Sequence, residues 1–228
     1  MLSIPGFSDP VSSLTHLTGA LVFAILGGFL IARGRGDARR VIVLAVFVAS
    51  CVLLLSLSGV YHLLTPLTAA RSVLLRLDHA AIFVLIAGSF TPVHAMLLRE
   101  RWQQYLLAGI WSAAITGLVL KTAFFDAMPP WLGLLMYLGL GWLGLISTIA
   151  LARRFGLRFV LPLVWGALAY TVGALADFLR WPVLVAGVIG PHEIFHLAVL
   201  AGISFHWVFI SRIAGVRSPG IGAALPAV

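Results

Sequence analysis

The sequence predicts an all-α integral membrane protein, a bundle of seven transmembrane helices, and three observations carry that expectation. Of 228 residues, 61% are hydrophobic and only 10% are charged, against about a quarter charged in a soluble domain. Seven apolar stretches are each long enough for a bilayer core about 30 Å thick, which takes roughly 20 helical residues. The 15 Lys and Arg gather mostly in the short breaks between those stretches. Too few charges remain to cover a soluble surface, so a soluble enzyme and a disordered chain are excluded. The net charge of +8 belongs to loops rather than to a nucleic-acid-binding face, so no nucleic-acid partner is expected. The single cysteine, Cys51, excludes an intrachain disulfide and a Cys-rich metal site.

In chain order, span 1 covers 14–32. The 13 residues before it hold no Lys or Arg, so the n-region of a signal peptide is not expected. Arg33, Arg35, Arg39 and Arg40 mark the first break, and span 2 follows at 41–63. Thr65, Pro66 and Arg71 lie in the break before span 3, at 74–98. A tight break at 99–102 leads to span 4, at 103–120. The segment from Lys121 to Pro130 precedes span 5, at 131–152. Arg153, Arg154 and Arg158 separate it from span 6, at 159–178, and span 7 runs over 191–211. No repeat or linker interrupts the pattern, so 1–228 reads as one seven-helix domain.

The basic residues suggest an orientation. Arg33, Arg35, Arg39, Arg40, Arg99, Arg101, Arg153, Arg154, Arg158, Arg212 and Arg217 fall on one side, and only Arg71, Arg76, Lys121 and Arg180 on the other. The positive-inside rule then puts the N-terminus outside and the C-terminus in the cytoplasm.

Ionisable groups inside spans are costly and mark function. In an antiparallel seven-span chain, odd spans begin and even spans end on one side. His16, Ser58 with His62, Asp78 with His79, Asp177, and His192 with Glu193 and His196 therefore share one membrane face. His94 and His206 fall toward the other and read as structural or interfacial. His192 and His196, at i and i+4, project from one helix face, the spacing with which a helix offers two imidazoles to a metal. Such a pair also serves merely to hydrogen-bond helices together, but His62, Ser58 and Asp78 at the same depth favour the metal. Three imidazoles from two helices leave a fourth zinc position for water, which Asp78 could hold or deprotonate. His16 reads as a neighbour of the ligands rather than a ligand. His79 points about 100° away from Asp78 around the helix and serves another contact. Asp177 is either a pocket group or a partner for Arg180, and Glu193 lies off the His192/His196 face. The seven Trp residues read as interfacial anchors.

At these residues the chain resembles the hemolysin III family, the bacterial branch of the progestin and adipoQ receptor superfamily. The matching segments are Ser13-Leu14-Thr15-His16, Ser58-Gly59-Val60-Tyr61-His62, Leu77-Asp78-His79-Ala80-Ala81-Ile82, Ile86-Ala87-Gly88-Ser89-Phe90-Thr91-Pro92 and His192-Glu193-Ile194-Phe195-His196, with His206 ten residues on. They run in order through nearly the whole chain. The resemblance implies seven helices around a zinc ion held by His62, His192 and His196, with Asp78 on a zinc-bound water and Ser58 beside the first histidine. It also implies a bacterial plasma-membrane location and, through a relationship to alkaline ceramidases, hydrolysis of a lipid amide. Ser12 stands where the family usually carries Asn, Asp9 represents an acidic residue expected upstream, and Asp177 replaces an aromatic residue. The eukaryotic receptors keep their N-terminus in the cytoplasm, opposite to the charge count here.

The expected function is thus a zinc-dependent membrane hydrolase acting on a membrane lipid. Asp78 would be its general base and Ser58 its oxyanion donor, with His16, His79 and Asp177 around the ligands. The alternative is a non-enzymatic receptor, sensor or modulator of membrane lipid with a structural zinc. A pore ranks last, because the spans carry no continuous polar stripe, and a transporter finds no support in an inverted repeat or an interrupted helix pair.

Overall fold

The computed structural model describes residues 8–98 and 100–215. Arg99 and Arg217 of the charge count lie outside them. Among the described residues eight α-helices follow one another: α1 Pro10–Ala32, α2 Ala38–Leu63, α3 Ala69–Met96, α4 Arg101–Ala123, α5 Pro130–Trp142, α6 Gly144–Phe155, α7 Leu157–Leu179 and α8 Pro191–Ala214. Seven segments among the described residues are long and apolar enough to cross a membrane, with α5 and α6 forming the fifth.

The helices begin earlier than the apolar stretches, α1 at Pro10 and α3 at Ala69. Hydropathy marks where hydrocarbon begins, whereas helix ends are set by caps. Pro10 at the first position preorganises the start of α1, and the Thr68 side chain caps α3 by accepting from the Arg71 backbone N–H at 3.3 Å. Asp37 likewise accepts from the Arg40 N–H at 3.2 Å. Two breaks differ from expectation. The fifth span is interrupted at Leu143, between Gly141 and Gly144. A Cβ at Gly144 would stand 3.2 Å from the Phe90 ring of α3, so the chain passes close there. Between spans 5 and 6, Arg153 and Arg154 stay helical, and the turn is the single residue Gly156, whose φ of 87° suits glycine.

Successive spans pack as antiparallel neighbours, and α8 closes the bundle against α1 on one side and α7 on the other. Leu44, Phe47, Leu55, Ile203, Phe209 and Ile210 are fully enclosed between α2 and α8 and their neighbours. Leu21, Phe29, Ile42 and Val172 point outward, as lipid-facing residues must where no hydrophobic effect separates inside from outside. Close packing relies instead on small residues. A Cβ at Gly59 would lie 2.6 Å from Leu17 Cγ and 3.0 Å from the Leu17 backbone nitrogen, so α1 meets α2 there backbone to backbone. This contact sits one residue from Ser58, at the depth where the polar groups gather.

Candidate metal centre

Two helix ends deliver the centre. His62 lies in the last turn of α2, while His192 and His196 occupy the first two turns of α8. His62 and His196 are buried, and His192 is partly exposed toward the membrane face. Their candidate ligand atoms all fall within 4.8 Å of one another. The His192 Nε2 stands 3.1 Å from the His62 Nε2 and 3.1 Å from the His196 Nε2.

Two carboxylates set the tautomers. Asp9 Oδ2 lies 3.0 Å from His62 Nδ1, and Asp177 Oδ1 lies 3.0 Å from His192 Nδ1. A carboxylate accepts, so each Nδ1 carries the proton, and each Nε2 of the neutral ring is left with a bare lone pair. His62 and His192 thus present two lone pairs to each other at 3.1 Å. A proton on His196 can satisfy one of them, and the facing pair still lacks a donor. A cation reconciles it: imidazole–zinc bonds of about 2.0–2.1 Å in tetrahedral geometry separate nitrogens by roughly 3.3 Å. Carboxylate–histidine pairs are also the usual support of such ligands. The donor set therefore fits a borderline-soft divalent metal, and zinc among them.

The rest of the pocket holds these rings in place. The His16 ring stacks on His196, with centroids 3.9 Å apart, and its Nε2 lies 3.3 Å from the His196 carbonyl oxygen. Asp78 stands beside the Ser58 hydroxyl and within electrostatic reach of His192, outside the histidine triangle. His79 turns aside: its Nδ1 donates to the Leu75 carbonyl at 2.9 Å and its ring packs on Phe125. Asp177 meets His192, and no ion pair joins it to Arg180 among the described residues. Glu193 accepts from the Ser12 hydroxyl at 3.2 Å and from the Gly190 N–H at 2.9 Å. It thereby fastens α1 to the start of α8, through the position where the family usually carries Asn.

Arg71 was missed as a member of the site, and Asp9 was named only as the upstream acidic residue of the family pattern, without a role. The Asp9 N–H donates to the His62 carbonyl at 3.0 Å and Ser8 Oγ to the Leu64 carbonyl at 2.7 Å, so the residues before α1 lie as a strap over the end of α2. Arg71 donates to Asp9 Oδ2 at 2.6 Å and also to the Leu64 carbonyl. Burial disfavours the Asp9 carboxylate, but hydrogen bonds from His62 and Arg71 outweigh it and hold its pKa below the ordinary value. One further signal pointed to a role for Asp9. It is one of only seven acidic residues, and it directly precedes a proline at the start of the first span.

At the opposite membrane face His94 is buried and structural, the first of the two roles expected for it. Its Nδ1 donates to the Gln103 carbonyl at 2.8 Å, and its Nε2 accepts from Ser147 Oγ at 2.9 Å, tying α3 to α4 and α6.

One turn below the polar layer lies an apolar cavity of about 210 Å³ between α2, α3, α5, α6, α7 and α8. Leu54, Ile82 and Ala174, on its wall, are each about a turn deeper than Ser58, Asp78 and Asp177, and Phe195 adjoins His196.

A family model described as Haemolysin-III related matches residues 7–207. The chain is 33% identical over 193 residues to Hemolysin-3 of Bacillus cereus, an alignment that covers 84% of each protein. It is 34% identical over 194 residues to a Hemolysin-3 homolog of Bacillus subtilis (strain 168), covering 84% of this chain and 87% of that one.

Proposed function

The chain belongs to the Haemolysin-III related family, and from that premise we propose that it is a zinc-dependent hydrolase of lipid amide bonds working within the membrane. The observation that carries this reading is the pair of bare Nε2 atoms on His62 and His192, with the His196 Nε2 3.1 Å from the latter and with Asp78 and Ser58 nearby but not engaged in holding the rings. A structural site closes all four metal positions with protein ligands, whereas a catalytic one leaves one open.

Zinc held by the three histidines would supply Lewis acidity toward the substrate carbonyl and acidify water. The chain's own groups do the rest. The Asp78 carboxylate accepts the proton of the attacking water as its oxygen bonds to the carbonyl carbon. Ser58 Oγ–H donates to the oxygen on which negative charge develops. When the carbon–nitrogen bond breaks, Asp78 returns the proton to the leaving nitrogen, so an amide and water become a carboxylic acid and an amine. The acyl chain runs into the apolar cavity below, which explains why such chemistry would sit at the depth of lipid chains. Asp9 and Asp177 keep His62 and His192 turned inward.

Purified protein loaded with zinc and given N-acyl lipids should release free fatty acid. Release that is unaffected by Asp78→Ala, or by chelation, overturns the proposal.

A second reading rests on the fact that the three histidines join α2 to α8. A metal there would be a tie in a sensor of membrane lipid. It predicts that His62→Ala lowers the melting temperature of the purified protein and that no lipid is turned over.

A further inference from the structure

The loop between α7 and α8 has a composition unlike that of a turn in water. Residues 181–191 include no charged, hydroxyl or amide side chain. Within them Trp181, Val183, Leu184 and Val185 are 70%, 59%, 64% and 48% exposed. The exposed turn between α1 and α2, by contrast, carries Arg33, Arg35 and Asp37. Large apolar side chains turned outward together mark a contact with a partner or a membrane.

The backbone of the loop matches its side chains. The Trp181 N–H donates to the Ala176 carbonyl at 3.1 Å and closes α7. The Leu184 and Val185 N–H groups donate to the Ile189 carbonyl at 3.0 and 3.1 Å, and the Val188 and Ile189 N–H groups to the Val185 carbonyl at 3.0 and 2.8 Å. The Gly190 N–H is taken by Glu193. The segment is thus a small hairpin, bridged at Val185 and Ile189 and turned at Gly187, whose φ of 75° suits glycine. Donors satisfied within the segment are what lipid requires of a backbone. The N–H groups of Val183, Ala186 and Gly187 find no acceptor among the described residues. They need oxygens from outside, which lipid headgroups and glycerol esters supply and acyl chains do not.

Position selects the occupant. The hairpin starts directly at the end of a membrane-crossing segment, Leu157–Leu179. Its apolar side chains continue the outward face of α7, where Phe178 and Leu179 are 43% and 65% exposed. Arg180, between helix and hairpin, carries its charge on a long apolar stem, the form in which a helix end reaches the phosphate layer. Trp181 has the amphipathic ring that favours the same layer.

We infer that residues 181–189 form an interfacial hairpin seated in the bilayer of its own membrane, with the apolar side chains among the upper acyl carbons and the free N–H groups at headgroup oxygens. The hairpin also walls a second cavity, of about 250 Å³, together with Ser8 and Asp9 of the strap and with Glu193. Seated so, it holds that cavity at the depth of the lipid headgroups.

The depth of the loop depends on neither metal nor turnover, so it is tested directly on full-length protein in nanodiscs of dioleoyl phosphatidylcholine. A bimane fluorophore is attached at Leu184→Cys and, in a second variant, at Val185→Cys. The native chain, whose Cys51 is fully enclosed, gives the background. Val172→Cys on the outward face of α7 is the lipid reference, and Arg35→Cys is the water reference. Both hairpin labels should lose fluorescence to a lipid carrying a nitroxide at the fifth acyl carbon, as the label at 172 does. Both should be quenched less by iodide than the label at 35. Absence of nitroxide quenching overturns the inference: the hairpin then stands in water if iodide quenches it, and under protein, a second copy or another chain, if iodide does not. Iodide quenching equal to that at 35 overturns it as well.

Discussion

His62 Nε2 and His192 Nε2 face each other at 3.1 Å across α2 and α8, each with its Nδ1 committed to a carboxylate, Asp9 in one case and Asp177 in the other. Two acceptors so placed repel unless a cation lies between them. Purified protein should therefore carry about one divalent metal per chain, as in other three-histidine sites. Single His62→Ala, His192→Ala and His196→Ala variants should each lose it, as read by elemental analysis.

The two carboxylates act at one remove. Asp9→Asn and Asp177→Asn keep the shape of the contact but remove the charge that fixes the tautomer. Each should weaken metal affinity about 10–100-fold while the protein remains folded, as measured by competition with a chelating dye. Equal affinity in either variant would mean that its carboxylate does not orient the ring.

Acid should remove the metal without involving Asp9. Binding requires neutral imidazoles, so affinity falls as pH drops. The Asp9 pKa is held below its ordinary value, so the contribution of its strap is full above about pH 3.9 and is lost only as pH falls through the lower folded-state value. Between pH 8 and 5 Asp9→Asn should thus lower affinity by a constant factor. A deficit that closes as pH falls from 7 to 5 would show Asp9 titrating there.

Asp78 and Ser58 stand outside the ligand set, so Asp78→Asn and Ser58→Ala should retain metal. Under the hydrolase reading, Asp78→Asn should abolish measurable fatty-acid release. Ser58→Ala should lower its rate about 10²–10³-fold, the typical cost of losing one oxyanion donor. Metal analysis and a lipid-release assay on the same preparations separate these effects from loss of the site.

Gly59 lets α1 lie on α2 one residue from Ser58. Gly59→Ala would place a methyl 3.0 Å from the Leu17 backbone nitrogen, which cannot rotate away as a side chain can. Overpacking of this kind costs about 1–3 kcal/mol, so the melting temperature should drop by several degrees. An unchanged melting temperature would mean that the α1–α2 contact is slack.

Much of this was legible in the chain, and the particular residues show why. Histidines are few and the spans are apolar, so His62, His192 and His196 stand out at matching depth. The i, i+4 spacing of the last two dictates a shared helix face without reference to any other helix. Asp9 was harder to read, because it precedes the span and its role depends on the strap folding back over α2. The break at Leu143 was also invisible. Leu143 itself keeps helical φ and ψ of −57° and −23° within one apolar segment, so hydropathy does not register the break.

By itself the sequence determined the class, the number of spans and the membrane face on which the polar groups gather, since these follow from local composition and helical pitch. Rotation of each helix about its axis was left to tertiary packing. That rotation turned two lone pairs toward each other, brought Asp177 to His192 rather than Arg180 and turned His79 away. It also seated Tyr170 on Gly202 and His206 on Gly166 beside an apolar cavity. In a bilayer every face of these helices is apolar enough to meet lipid, so the hydrophobic pattern cannot choose which face turns inward. Steric fit at small residues and a handful of hydrogen bonds make that choice.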